Sequence, residues 1–404
     1  MKIIFLALNV NINARTGDAV HVRELAMNLA KLEHHVALIA GYSPEQSEEL
    51  QLLEKHPNIQ ISYNKNRFKI PFPRSRDFSS LWTCLKVARK NPPDVIYERS
   101  FSPKIGVVLS KILRKPLVVE INGIVEEEAK LQGIHVNHRF TKNIRMKIRQ
   151  RFFNSANKIV AVTLGIKEDL YKRYNIPLDK IVVIPNGANT DIFRPMDQTT
   201  VKRERGLNQK SKYVCFVGNL APWQGVEYII EAAPIVLEKV SEAKFLIVGD
   251  GMMRNELEGM VKKLDLQDVF IFTGSVSFEE VPKYINASDV CVAPFIRARN
   301  EKIGLSPLKI YEYVACGKPV VGSDIKGVGD FLEDLNVGIS FLSENYVELA
   351  HAIIKLLLDS ELIDTMGENG RKVVVEKYSW GNTAERVIDV CEELVKVKHG
   401  GMMW

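Results

Sequence analysis

Residues 304–321 read GLSPLKIYEYVACGKPVV. Ser306 is a good N-cap, Pro307 suits the first helical position, where its missing N–H costs nothing, and Gly317 stands where a helix ends in a left-handed turn. The stretch predicts a short helix from about Pro307 to Cys316. The KPVVGSD that follows has the β-branched run and polar stop of a buried strand. A helix feeding an apolar strand is the repeating unit of a parallel sheet. Lys309 and Glu312 are three apart, so they share a face one turn from the helix N-terminus, where N–H groups and the helix dipole favour an anion. Such a pair suits a phosphate; a solvated surface ion pair is the plainer reading.

Outward from this stretch the unit repeats. YVCFVGN, KFLIVGD, VFIFTGS, VCVAPF and PVVGSD alternate with helices such as VEYIIEAAPIVLEKV in the second half. KIIFLAL, HVALIAG, VIYERS, PLVVEIN and KIVAVT alternate with helices such as VHVRELAMNLAKL in the first. Two such sets predict two doubly wound α/β domains, which also suits a length of 404 residues. The join falls in IVVIPNGANTDIFRP, where Pro185, Asn186, Gly187 and Pro195 interrupt the period. Ligands of such folds bind beyond the carboxyl ends of the strands, so a central cleft between the domains is the expected site.

Composition agrees with a globular chain: 46% hydrophobic and 26% charged. The five cysteines (Cys84, Cys215, Cys291, Cys316, Cys391) are scattered without a CxxC, which reads as reduced core residues and argues against a metal site. The N-terminal IIFLAL reads as a first buried strand rather than a signal peptide, because the segment after it lacks a small-residue cleavage site. No apolar run reaches membrane-spanning length. Charge is uneven: +13 over residues 1–190 and −7 over 191–404. RFTKNIRMKIRQRFFNSANK, residues 139–158, holds seven Lys and Arg and no acid. Such a stretch attracts phosphate-bearing surfaces. Its phenylalanines, and the similar NRFKIPFPRSR upstream, favour an anionic lipid face over nucleic acid.

Two strand-end loops, NARTGDAVHVREL with Gly17 and VGNLAPWQGVEYI with Gly225, turn into helices and offer backbone donors suited to a diphosphate. VGNLAPWQG, IVGDG, FTGSVSFEEVPKYINASDVCVAPF, SPLKIYEYVACGKPVV and IPNGANTDIFRP together resemble, in order, the landmarks of the family 4 retaining glycosyltransferases. That resemblance implies the GT-B fold: two Rossmann-like domains, here 1–187 for the acceptor and 188–378 for the nucleotide sugar. The closing segment, residues 379–404, is then a helix that crosses back to the first domain. It also implies a metal-independent hexosyltransferase without a cofactor, using a UDP- or GDP-sugar and lacking a DxD motif. A lipid-linked or cell-envelope glycan is the expected acceptor, with peripheral attachment to the cytoplasmic face of a membrane. A GT-B-shaped binding protein without turnover and a sugar-nucleotide epimerase are the alternatives.

Carried over residue by residue, the resemblance makes Glu312 the ribose-binding glutamate of an E-x7-E pattern whose first member is replaced here by Gly304. The basic pair of the family is replaced by Asn219 and Gln224, and a histidine by Asn122. Lys309 is then the candidate to neutralise the diphosphate, with Arg297 and Arg299 behind it. The donor site expected on this basis takes in Gly17, Asp18, Gly218, Asn219, Gln224, Gly225, Gly249, Ser275 and Val276. It continues through Gly304, Leu305, Ser306, Pro307 and Leu308 to Glu312. The backbone N–H groups of Leu305 to Leu308, or Glu301, are expected to take over the missing glutamate's work. His21, Glu120 and Asn122 are expected at the acceptor, and Lys309, Glu312 and Asn122 at the chemistry. Trp223 and Trp380 read as packing residues.

Overall fold

The structure, a computed structural model, describes residues 1–41, 48–64, 75–123, 139–300 and 304–400. Glu301, most of NRFKIPFPRSR, and the side chains of Arg299 and of residues 139–143 lie outside the described residues. Contacts divide the chain into two units, one running to Pro185 and including the helix Trp380–Gly400, the other spanning Asn186–Ser379.

In the first unit, β1 (Lys2–Asn11), β2 (His35–Gly41), β3 (Ile59–Asn64), β4 (Val95–Arg99), β5 (Leu117–Ile121), β6 (Lys158–Ala161) and β7 (Ile181–Val183) form a sheet ordered β3-β2-β1-β4-β5-β6-β7. All pairings are parallel, with Lys2 opposite His35 and Arg99 opposite Glu120. Ile3 to Ala7 are buried on both faces of the sheet, which is why this strand reads as a continuous apolar run rather than an alternation. Order reverses between β1 and β4, and right-handed crossovers put the helices serving the two directions on opposite faces. On one face the helix Gly17–Lys31 packs against the returning helix Trp380–Gly400. On the other, the helix Lys104–Leu113 touches both Ser75–Lys90 and Arg139–Ser155. The returning helix is tied down by Thr383, which donates to the Pro185 carbonyl (3.1 Å), and Arg386, which donates to that of Val183 (2.7 Å).

In the second unit, β8 (Lys212–Val217), β9 (Ala243–Val248), β10 (Phe270–Gly274), β11 (Val290–Ala293), β12 (Val320–Ser323) and β13 (Gly338–Phe341) form a parallel sheet ordered β10-β9-β8-β11-β12-β13. Successive side chains serve opposite faces: Val214 and Phe216 join one apolar cluster, Tyr213 and Cys215 the other. Each wholly buried Phe, Ile or Leu of these clusters stabilises the fold by about 1.5–3 kcal/mol. All five cysteines are free and buried, as expected of core residues. Among the described residues no helix is long and apolar enough to cross a membrane.

Candidate functional site

In the second domain the expected donor residues gather at the carboxyl ends of β8, β9 and β10. The Gly218 N–H donates to the Val248 carbonyl (2.9 Å) and that of Gly249 to Gly274 (3.0 Å), so the three strand ends are joined directly before Ser275 and Val276. After β8 the chain turns through Pro222–Gln224 into the helix Val226–Lys239. Gly225 caps that turn at φ +69°, and a Cβ on it would lie 1.8 Å from the Pro294 carbonyl oxygen; only glycine fits. Asn219 and Ser275 are exposed, whereas Gln224 and Val276 are half-buried.

Lys309 completes this end of the sheet. Its helix, Leu308–Ala315, is held to β8 by the Val217 N–H donating to the Tyr313 hydroxyl (2.7 Å). The Lys309 ammonium donates to Gln224 Oε1 at 2.8 Å and lies 3.9 Å from the Phe216 ring centroid and 5.2 Å from that of Phe295. The ring faces favour the cation, but burial dominates and pushes the group from 10.5 down to about 7, against the pull of Glu312. Lys309 is therefore neither a solvated lysine nor one side of a simple surface pair. It reaches Gln224, the position where the resemblance calls for a basic residue, and brings a positive charge to it. Arg297 is engaged elsewhere, donating to both Asp324 oxygens at 2.7 and 2.5 Å, which weakens it as a candidate.

Two expectations around the helix start need correction. The N-cap is Pro307 rather than Ser306 and makes no side-chain cap, although the helix, Leu308–Ala315 with Cys316 as its C-cap, lies where expected. Ser306 instead accepts from the Asn186 N–H (2.9 Å) and pairs with the Tyr311 hydroxyl (3.1 Å), while its carbonyl accepts from the Asn186 amide (2.7 Å). The serine pins the start of this domain rather than the helix. Of the four backbone donors expected to replace the missing glutamate, Leu305 is engaged with the Lys326 carbonyl (3.0 Å) and Pro307 has no N–H. Gly304 itself has φ +65°, and a Cβ there would stand 2.8 Å from the Lys326 oxygen. In this conformation of the loop, the glutamate that the pattern expects would be strained. Gly317, as expected, ends the helix in a left-handed turn (φ +72°).

In the first domain the site residues also come to strand ends. Gly17 and Asp18 open the Gly17–Lys31 helix at the surface. The buried Arg23 braces the loop before it, donating to the carbonyls of Ile12 (2.7 Å) and Ala14 (2.9 Å). His21 and Glu120 meet at 2.7 Å, both almost wholly buried. Burial alone would raise the Glu120 carboxyl; His21, then Arg99 and the Tyr97 hydroxyl that donates to it, hold it at about 2. Trp380 packs edge-on against the His21 ring, 5.0 Å between centroids. Neither side chain of the pair is open to solvent. Asn122 differs: half-buried just past β5, its Oδ1 is buried and has no hydrogen-bond partner among the described residues. An orphaned buried acceptor is costly unless something donates to it. Arg23, Tyr97 and Arg99 were not singled out from the sequence; the one signal was a buried-strand pattern, VIYERS, carrying charge. A cavity of about 410 Å³ near Lys2, His35 and Asn58 lies at the opposite, amino-terminal ends of the first sheet and is not part of this site.

Comparison with known proteins bears on the family and the fold. The family described as Glycosyltransferase Family 4 matches residues 16–192, and that described as Glycosyl transferases group 1 matches residues 197–373. An uncharacterized glycosyltransferase of Methanocaldococcus jannaschii is 28% identical over 93% of both chains. The Escherichia coli UDP-Gal:alpha-D-GlcNAc-diphosphoundecaprenol alpha-1,3-galactosyltransferase is 24% identical over 89% of this chain and 96% of its own. Among solved structures, HepE of Anabaena in complex with UDP superposes with a TM-score of 0.76 at 18% identity, covering 98% of this chain and all of its own; it shows a shared GT-B fold. With matches that run in tandem through both domains, the chain belongs to the family 4 glycosyltransferases.

Proposed function

We propose that the chain is a retaining, metal-independent hexosyltransferase that moves a sugar from a UDP- or GDP-sugar to a lipid-linked or cell-envelope glycan at the cytoplasmic face of a membrane. The observation that carries this reading is the Lys309 ammonium, 2.8 Å from Gln224 among the joined loops beyond β8, β9 and β10. A diphosphate beside it would meet a cation and backbone donors in a partly dehydrated setting, where charge stabilisation is strongest as the bond to the sugar breaks. Glu312, acceptor-only when ionised, suits the ribose hydroxyls. The diphosphate oxygen nearest the sugar takes the proton of the incoming hydroxyl, so no side-chain nucleophile is required. In the first domain Asn122 accepts from an acceptor hydroxyl, and the His21–Glu120 pair positions the strand end that carries it. The lipid-linked acceptor draws support from the E. coli relative, whose name gives a diphosphoundecaprenol-linked substrate.

Binding without turnover is the second reading, favoured by Asn219, Gln224 and Gly304 where charged residues are expected. A thermal-shift panel of nucleotide sugars, followed by NMR of the product anomer, separates them. A ligand that binds only the folded state raises stability by RT ln(1 + [L]/Kd). The expected result is a shift with a UDP- or GDP-sugar and a product keeping the donor's anomeric configuration. Inversion overturns retention, and donor binding without product supports the second reading.

A further inference from the structure

The first sheet reverses its order at β4, which lies between β1 and β5, and ligands of such sheets bind past the strand ends at that point. β4 closes there on Arg99, opposite Glu120 of β5. Alternation puts Tyr97 and Arg99 on the face where Glu120 lies and Glu98 on the other, where it accepts from the Gly106 N–H. Arg99 would ordinarily be read as the counter-ion of Glu120, but that carboxylate is already served. His21 meets its Oε1 at 2.7 Å, and the Tyr97 hydroxyl donates to its Oε2. Arg99 Nε stands 3.7 Å from Oε1, too far for a hydrogen bond. That nitrogen is buried, and among the described residues nothing accepts from any of the five N–H groups of the guanidinium. With 17% of its side chain exposed, Arg99 is neither freely solvated nor sealed in.

A cation held in this state asks for a ligand, because polar groups withdrawn from water are costly to leave unbonded. The Asn122 amide oxygen, also buried and without a partner among the described residues, follows two residues after Glu120. The two groups call for different chemistry. The amide oxygen takes a hydrogen bond from a hydroxyl, whereas the guanidinium fork gives two to a phosphate or carboxylate. Register fixes their spacing: neighbouring strands and two residues of rise put the Arg99 and Asn122 backbones about 8 Å apart, within reach of one sugar ring and its anionic substituent. A neutral glycan leaves Arg99 unpaired, and a bare phosphate leaves Asn122 unpaired.

We propose that Arg99 is a specificity-determining residue that binds a phosphate or carboxylate on the acceptor sugar, beside the hydroxyl that donates to Asn122, so that charged acceptors are preferred to neutral ones. This rests on the transferase reading and names the class of its acceptor. The test is ligand-observed NMR titration of the full chain with glucose 1-phosphate, glucuronate, methyl glucoside and inorganic phosphate. The parent should bind one of the two charged sugars about tenfold more tightly than methyl glucoside, and that preference should fall with added salt. Tighter binding of glucose 1-phosphate names a phosphate as the anion; tighter binding of glucuronate names a carboxylate. Arg99→Gln should remove the preference, Arg99→Lys, which keeps the charge without the fork, should keep part of it, and Lys309→Ala should keep all of it, which separates this site from the donor's. Equal binding of charged and neutral sugars by the parent, an undiminished preference in Arg99→Gln, or its loss in Lys309→Ala would overturn the assignment. So would inorganic phosphate bound as tightly as the preferred charged sugar. A preference in the parent that ignores salt overturns it whether or not the glutamine variant folds. Nucleotide-sugar binding measured on the same preparations keeps the two readings apart. Donor binding without a preference for charged sugars sinks this inference alone; the preference without donor binding supports the anion site and sinks the transferase reading.

Discussion

Replacing Lys309 probes a charge whose cost is set by its surroundings. Burial takes the ammonium from 10.5 to about 7. At about 1.4 kcal/mol per pH unit, charging it in the ligand-free protein is disfavoured by on the order of 5 kcal/mol relative to water. A bound diphosphate supplies the opposite field and raises the group again, so donor binding above pH 7 takes up a proton. The sign follows from linkage: below about pH 7 the lysine is already charged and affinity is flat, whereas above it affinity falls by up to about tenfold per unit until the higher pKa of the complex is reached. Calorimetric titration with a nucleotide sugar from pH 6 to 9, in two buffers of different ionisation enthalpy, reads both the affinity and the proton. Lys309→Ala should bind somewhat more weakly at neutral pH and lose the slope; Lys309→Arg, always charged, should lose the slope too. Turnover of the alanine variant should fall by about 10²–10³, more than its affinity, as for the loss of one donor to a developing oxyanion. Equal slopes in the parent and the alanine variant would refute the placement of this charge at the donor.

Gly304→Glu restores the glutamate of the family pattern, but at φ +65° and against the Lys326 carbonyl it should lower stability by about 1–3 kcal/mol without improving donor binding; a variant of unchanged thermal midpoint that binds donor more tightly would contradict the account of that loop. Glu98, buried and accepting from the Gly106 N–H (2.8 Å), is pushed by burial from 4.5 up to about 8. Its contribution to stability is therefore fully present below pH 4.5 and declines as pH rises through 8, by up to about 5 kcal/mol. Glu98→Gln keeps the acceptor and should outlast the parent in calorimetric scans above pH 8; parallel midpoint curves from pH 5 to 9 would count against a protonated Glu98.

The parallel sheets were legible because their strands are buried on both faces. Ile3 to Ala7 and β11 and β12 read as unbroken apolar runs between helical periods, and Gly225 marked its turn. The helix that returns from Trp380 was reached only through the family resemblance, since nothing in its amphipathic pattern names the partner it packs on. The site was legible in its residue types and not in its contacts. Lys309 and Gln224 are 85 positions apart, and periodicity cannot say that one reaches the other over the Phe216 ring. Ser306 looked like a cap because serine before proline favours one locally, but Asn186, 120 positions away, takes its hydroxyl. His21 and Glu120 were expected at the acceptor, one from a helix and one from a strand, but nothing in either pattern says that the two side chains meet each other 2.7 Å apart.

The central claim is that the second domain holds a nucleotide-diphosphate sugar with Glu312 on the ribose and Lys309 on the diphosphate. Calorimetric titration of UDP- and GDP-sugars into the parent and Glu312→Ala tests it most directly. The account predicts one donor bound per chain by the parent, and affinity about 10- to 100-fold weaker in the variant, the effect of losing hydrogen bonds to a charged group, with its thermal midpoint in the absence of ligand unchanged. No heat with any of these donors, or equal affinity in the two proteins, would contradict it.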